Sequence, residues 1–286
     1  MRKGERQLNK SIKKVLLFCG VALVMIFTVS PLVWACIISL SPGKELASLA
    51  RHWLPDSFTL MNYKQVLSLS DNAASFKNSL LNSLIVASVT TLFSLIFGSL
   101  GAYAFARLRF RLKDRLAVIF LITQMVPSIA IALPMYLIFN RIGLLDTKSA
   151  LVLANLSFTL PFIIWMMRAF FESIPKELEE SAFVDGLGRF GALLRIILPI
   201  SAPGLFAIGV FAYLNTWNEF NTALVLTGSS QSKTMPVVIN EFLGRFSVDY
   251  GLMAASGIIG LLPPVLLTLF FQRYLVDGMT AGAVKG

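Results

Sequence analysis

The sequence predicts an all-α integral membrane protein of six transmembrane helices, and three observations carry that prediction. Of the 286 residues, 56% are hydrophobic and only 14% charged, where a soluble domain has nearer a quarter charged. Six runs, 15–38, 78–106, 116–140, 149–167, 196–218 and 250–272, contain no Asp, Glu, Lys, Arg or His. Each matches the roughly 20 apolar residues that a helix needs to cross a bilayer. Lys and Arg, finally, are distributed unevenly between the connecting segments. With the N-terminus inside, seventeen of the 25 fall on the cytoplasmic pieces 1–14, 107–115, 168–195 and 273–286. That bias places both termini in the cytoplasm, with a transmembrane domain over 15–272 between two short cytoplasmic ends. The net charge of +10 therefore reports topology. It forms no separate basic domain, which argues against a nucleic-acid partner.

The first run follows six basic residues and has the look of a signal peptide. At 24 residues it exceeds a 7–15-residue signal core, and no small-residue cleavage site follows it, so a retained helix is expected. Cys19 and Cys36 both lie on it, about 25 Å apart along a helix, too far to pair. The outer segment 39–77 carries Pro42, Gly43 and Pro55, then an amphipathic stretch, Phe58–Leu69. It reads as one or two short interfacial helices with Trp53 as an aromatic anchor. His52 has no cysteine near it, so a solvated loop residue is expected there and no metal site.

The second run ends in small residues, Gly98, Ser99, Gly101, Ala102, Ala104 and Ala106, which let helices approach closely in lipid. The third holds Pro127 and Pro134, the sixth Pro263 and Pro264. Prolines inside spans free carbonyls that neighbours or a wet cavity must satisfy; plain packing and a moving pathway are both open readings. No catalytic constellation accompanies these helices. The only Gly-Lys, at 43–44, has neither a glycine-rich loop before it nor Ser or Thr after it, so no phosphate-binding loop for ATP exists. There is no HExxH, no CxxC and no nucleophile–histidine pairing within the spans. No catalytic, cofactor or metal residue is expected.

Between the fourth and fifth runs lies "EESAFVDGLGRFGALLRIILP", residues 179–199. Over 172–199 the pattern predicts a helix–turn–helix on the cytoplasmic side. Pro175 and the acids open the first arm, as a helix dipole favours. Gly186 and Gly188 turn the chain, and Phe190, Leu193, Leu194 and Ile197 recur at the spacing of a single apolar face.

Glu180-Ser181-Ala182, three residues, Gly186, nine residues, then Ile196-x-Leu198-Pro199 resembles the EAA motif of the permease subunits of bacterial ATP-binding-cassette importers. The spacing matches throughout, and Ser181 in place of the first Ala is the one departure. Further stretches, "FTLMNYKQVL" (58–67), "NSLIVASVTT" (82–91), "GAYAFARLRF" (101–110), "WNEFNTAL" (217–224) and "QRYLVDGMTAGAVKG" (272–286), resemble the carbohydrate-uptake branch and, within it, the maltose-type second permease.

The resemblance implies that 172–199 is a coupling helix docking into a cleft of an ATPase subunit. Glu179, Glu180, Ser181, Ala182, Asp185, Gly186, Leu198 and Pro199 would form that element. It implies a second permease as heterodimer partner, an ATPase dimer that uses ATP and Mg, and an extracytoplasmic sugar-binding protein, in a bacterial or archaeal cell (inner) membrane. The chain itself would bind no cofactor. Candidate pathway residues at the outer end of the fifth run are Asn215, Trp217, Asn218, Glu219 and Asn221, whose amides, carboxylate and aromatic face suit a sugar; helix-end polar residues beside an interfacial Trp are the competing reading. Glycerol phosphate or a polyol is an alternative solute. An ion-driven secondary transporter is a less favoured function, since it would place ionisable residues at mid-membrane and show internal repeats.

Overall fold

A computed structural model describes the backbone of residues 2–46, 53–68, 71–244 and 248–283, and the side chains of 13–46, 53–68, 75–244 and 248–274. His52 and the side chains of the C-terminal tail beyond Tyr274 lie outside the described residues. Among the described residues the chain is helical, and its one β-contact is an isolated antiparallel bridge between Leu243 and Val248. It divides into two compact units, 1–68 with 242–259, and 69–241 with 260–286.

The first unit contains α1 (Arg2–Ser39), α2 (Gly43–Leu46), α3 (Met61–Leu67) and the first turns of α14 (Tyr250–Ala283). Two short helices thus occupy the segment where one or two were expected. The buried Asn62 amide donates to the carbonyls of Ser39 and Ser41 at 2.9 and 3.0 Å, satisfying groups freed where α1 ends. Ser39 and Tyr63 hydroxyls meet at 2.8 Å. A Cβ on Gly251 would fall 2.8 Å from the same amide, so glycine is the residue that lets α14 start there. Trp53 is exposed and packs edge-on against Trp34, ring centroids 5.8 Å apart. Along α1 the apolar side chains from Val15 to Val33 are exposed on every face.

The second unit is built on α4 (Asp71–Arg107), which packs along α7 (Lys148–Ser173) and α11 (Ala202–Trp217). Its contact face carries small and hydroxylated residues, as expected of helices that meet in lipid. Ser94 and Thr159 hydroxyls bond across the α4–α7 seam at 2.9 Å, and Gly98 and Gly101 lie against Ile163 and Ile164. Thr147 caps α7 by accepting the Ala150 N–H at 3.1 Å. One apolar core gathers Tyr103, Ile163, Met167, Phe171, Leu193 and Ile197; another gathers Val86, Phe139, Leu151, Leu226 and Val237.

Among the described residues four helices, α1, α4, α7 and α14, are long and apolar enough to cross a membrane unbroken. The third and fifth expected spans are not straight. The third is α5 (Lys113–Thr123) followed by α6 (Ser128–Arg141), bent by 98°. Pro127 stands at the break with ψ 133° and no N–H to continue the helix. The fifth is bent by 81° at Ser201, between Arg189–Ile200 and α11, with Pro199 and Pro203 on either side. The count is therefore four unbroken spans, or six if each bent pair crosses as one. Past α11, two further short helices, α12 (Asn221–Leu226) and α13 (Met235–Glu241), pack on α6 and α4 respectively.

Candidate functional site

α7 ends at Ser173, and Pro175, extended at ψ 136°, redirects the chain into α8 (Lys176–Val184). The end of α8 is closed by a paired-bond turn. The Leu187 N–H reaches the Ala182 carbonyl at 2.9 Å and the Gly186 N–H reaches Phe183 at 3.1 Å. This closure requires a left-handed residue, and Gly186 supplies it at φ +85°. Open space surrounds the position, so backbone conformation alone demands glycine there. After Gly188 come α9 (Arg189–Ala192), a π-helical turn at Leu193–Ile197 and the short α10 (Leu198–Ile200). Together α8, the glycine turn and the α9–α10 segment occupy residues 176–200.

The faces of these helices differ from expectation. Leu193 and Ile197 are buried, but Phe190 in α9 and Leu194 in the π turn are exposed. On α8 the acids are divided between two faces. Glu177, Glu180 and Asp185 are exposed along with Ser181 and Gly186, and Val184 at the apex is 88% exposed. Glu179 and Ala182 turn inward and are buried. Leu198 packs against the core, and Pro199 is exposed.

Burial of Glu179 is explained by two residues for which the sequence alone predicts no role, Tyr103 and Arg107. Arg107 Nε lies 2.7 Å from Glu179 Oε2, and both side chains are 6% exposed. The Tyr103 hydroxyl donates to Glu179 Oε1, and Arg107 Nη2 donates to the Ile174 carbonyl at 2.8 Å. The last turn of α4 thereby holds α8 and the α7–α8 hinge together. The signal present in the sequence was the i, i+4 spacing of Tyr103 and Arg107, one helical face.

Of the candidate pathway residues, Asn221 is brought to the break in the third span. Asn221 Nδ2 donates to Ser128 Oγ at 3.3 Å, and Gln124 Nε2 donates to the Phe158 carbonyl at 2.9 Å. Asn215, Asn218 and Asn221 are exposed. Glu219 caps α12 with both carboxylate oxygens, accepting the N–H groups of Thr222 and Ala223 at 2.7 and 3.0 Å. Trp217 is buried and stacks on Tyr213 with ring centroids 5.8 Å apart.

Asp146 anchors the opposite loop. Its Oδ1 accepts the N–H groups of Gly228 and Ser229 at 2.8 and 3.0 Å and the Ser232 hydroxyl. Burial would raise its carboxyl, but these donors outweigh burial and hold it well below the usual carboxylate range. Among the described residues no group of three or more His, Cys, Asp or Glu side chains is placed to hold a metal.

Comparison with known proteins accords with this geometry. Residues 94–281 match the family model of the binding-protein-dependent transport system inner membrane component. The chain is 34% identical over 276 residues to the trehalose/maltose transport system permease protein MalG of Thermococcus litoralis, covering 96% of this chain and 98% of that one. It is 33% identical over 273 residues to the sulfoquinovosyl glycerol transport system permease protein SmoH of Agrobacterium fabrum, covering 96% and 94%. In fold it is similar to a chain of a bacterial ABC transporter involved in the import of the acidic polysaccharide alginate, with a TM-score of 0.76 over 92% of this chain and 96% of that one at 22% identity. With the family model spanning most of its length and relatives matching nearly all of it, the chain belongs to the binding-protein-dependent transport system inner membrane components, as a permease subunit of an ATP-binding-cassette transporter.

Proposed function

We propose that this permease forms half of the translocation pathway for a sugar, delivered by an external solute-binding protein and driven by a separate ATPase dimer. The relatives named for trehalose/maltose and sulfoquinovosyl glycerol, and a further one at 33% identity, the diacetylchitobiose uptake permease DasC of Streptomyces coelicolor, all carry sugar units in their names. That supports a hydroxyl-rich solute. A second permease completes the pathway, both termini lie in the cytoplasm, and ATP and Mg are handled by the partner ATPase.

The observation that carries the coupling role is the division of α8 into two faces. One is anchored inside the chain by Glu179 and Ala182; the other presents Val184 between Glu177, Glu180 and Asp185. An apolar tip with an acidic rim suits an ATPase cleft with an apolar floor and basic walls. Glu180, Ser181, Asp185 and Gly186 are the contact residues on this reading, while Leu198 and Pro199 set the return into the membrane. Gln124 and Ser128 join Asn215, Asn218, Glu219 and Asn221 as the polar surface along the pathway. Gln124 lies well inside the third apolar run, where an exposed amide is costly against lipid and compatible with water.

The test is the complex in cells and in detergent, with retained ATPase measured beside uptake of labelled trehalose, maltose and diacetylchitobiose. Gly186→Asp is expected to insert normally yet lose ATPase attachment or uncouple it. Glu219→Gln is expected to keep the ATPase and change uptake. Full attachment and full uptake in Gly186→Asp would reduce α8 to a connector, and unchanged uptake kinetics in Glu219→Gln would return α12 to a purely structural part.

A further inference from the structure

Arg107 reaches two things at once. Its Nε faces the Glu179 carboxylate on α8 at 2.7 Å, and its Nη2 donates to the Ile174 carbonyl at 2.8 Å, immediately before the Pro175 hinge. Pro175 has no N–H, so the hinge cannot be stiffened by continuing the helix through it. The local backbone bond left there is Ile174 N–H to the Phe171 carbonyl, at 3.3 Å. The angle at which α8 leaves α7 is thus held from outside the hinge, by the side chains at the end of α4. Tyr103, one turn earlier on that face, donates its hydroxyl to the other Glu179 oxygen. Arg107 Nε meets Glu179 as an ion pair without hydrogen-bond geometry, and the two side chains are almost wholly removed from solvent. A buried pair of this kind resists partial opening, because separating the charges leaves each uncompensated.

We propose that Arg107 and Tyr103 are positioning residues of transport coupling. Through Glu179 they fix the orientation of the docking helix, so that α4 is part of the body that α8 moves. The inference rests on α8 being the ATPase-docking element. On it, Glu179 is an internal anchor and no contact for the ATPase, whereas its neighbour Glu180, about 100° around the helix, is the residue offered outward. Force applied at Val184 passes into α4 through the ion pair as well as into α7 through the chain. Consequently the α4–α7 seam, closed by Ser94–Thr159 and the two glycines, moves as one piece. The single guanidinium also explains why lysine would not serve. A lysine ammonium is a point charge without the planar fork that spans the carboxylate and the carbonyl together.

The experiment uses the whole complex in lipid nanodiscs with its ATPase and its solute-binding protein. It reads ATPase retained per permease and the ratio of ATP hydrolysis with and without the binding protein. Arg107→Lys and Glu179→Gln are expected to retain the ATPase while that ratio falls about three- to tenfold. The double variant Arg107→Met with Glu179→Met is expected to be no worse than Glu179→Gln alone, because it leaves no unpaired buried charge. Tyr103→Phe, which removes one hydroxyl, is expected to give a smaller loss in the same ratio, and it decides the matter if the charge variants fail to accumulate. A ratio within about twofold of wild type in Arg107→Lys and Glu179→Gln, or a wild-type ratio in Tyr103→Phe where those two do not accumulate, would overturn the proposal. If Gly186→Asp releases the ATPase or uncouples it while these variants behave as wild type, only the positioning role falls. If Gly186→Asp has no effect, the docking reading falls with it.

Discussion

At Asp146 the backbone and the side chain serve the same loop. The residue sits at φ 59°, in the left-handed region, and its carboxylate gathers the N–H groups of Gly228 and Ser229. Asparagine tolerates that backbone as well as aspartate does, so Asp146→Asn isolates the charge. Loss of the charge-assisted bonds is expected to cost about 1–3 kcal/mol. It should appear as faster hydrogen exchange at the Gly228 and Ser229 amides and a lower unfolding temperature of the complex. The pH dependence has a definite sign. A carboxyl depressed in the folded chain contributes its full stability above the unfolded value near ~4 and loses it as pH falls below that toward the folded value. Between pH 8 and pH 5 the wild-type advantage over Asp146→Asn should therefore stay constant, and an advantage that faded across that range would sink the assignment.

The α4–α7 pair shows how narrow the tolerances are between packed helices. A Cβ on Gly98 would stand 2.5 Å from Ile163 Cγ2, inside any permitted contact. Gly98→Ala is expected to cost about 1–3 kcal/mol by overpacking. Adding Ile163→Ala, which removes the obstructing methyl, should recover part of that loss although each change destabilises alone. Thermal unfolding of the solubilised complex reads the cycle, and simple additivity would show that the helices do not meet there as described. The sequence reached this seam through its small residues, whereas the breaks in the third and fifth spans escaped it. A charge-free run measures how long the apolar segment is and carries nothing about direction, and Pro127 and Pro199 mark a kink without its angle. The Glu179 anchor escaped for another reason. Glu179 and Glu180 are identical neighbours, and what separates them is Arg107, distant in sequence and indistinguishable by composition from the other basic residues flanking a span.

For the chain taken together, the helical class, the element order and the surface helix–turn–helix were legible, because hydrophobic run length and turn chemistry are local. Which face of each helix meets another was not, since that depends on contacts between distant segments; Phe190 and Leu194 on the outside and Trp217 on the inside are the instances. Topology is the property that remains a matter of charge. If both bent pairs cross and the N-terminus is cytoplasmic, as the Lys and Arg bias predicts, the Leu144 and Gly228 loops lie outside and the C-terminus inside. A reporter fluorescent only in the cytoplasm, fused after Leu144, Gly228 or Gly286, should be dark, dark and bright. A bright fusion at Leu144 would make α5–α6 a re-entrant loop and overturn the six-span topology.

The left-handed turn at Gly186 also meets the genetic code. A single base change in a glycine codon yields Ala, Val, Ser, Cys, Arg, Trp, Asp or Glu, and never asparagine, the side chain that accepts this backbone most readily after glycine. Aspartate is the one accessible replacement with some tolerance for the turn, and it would set a further negative charge beside the exposed Asp185 and Glu180. Every one-step mutational neighbour of the turn therefore carries either a conformational penalty or an electrostatic one. Populations of this gene can leave the position only through a damaged intermediate.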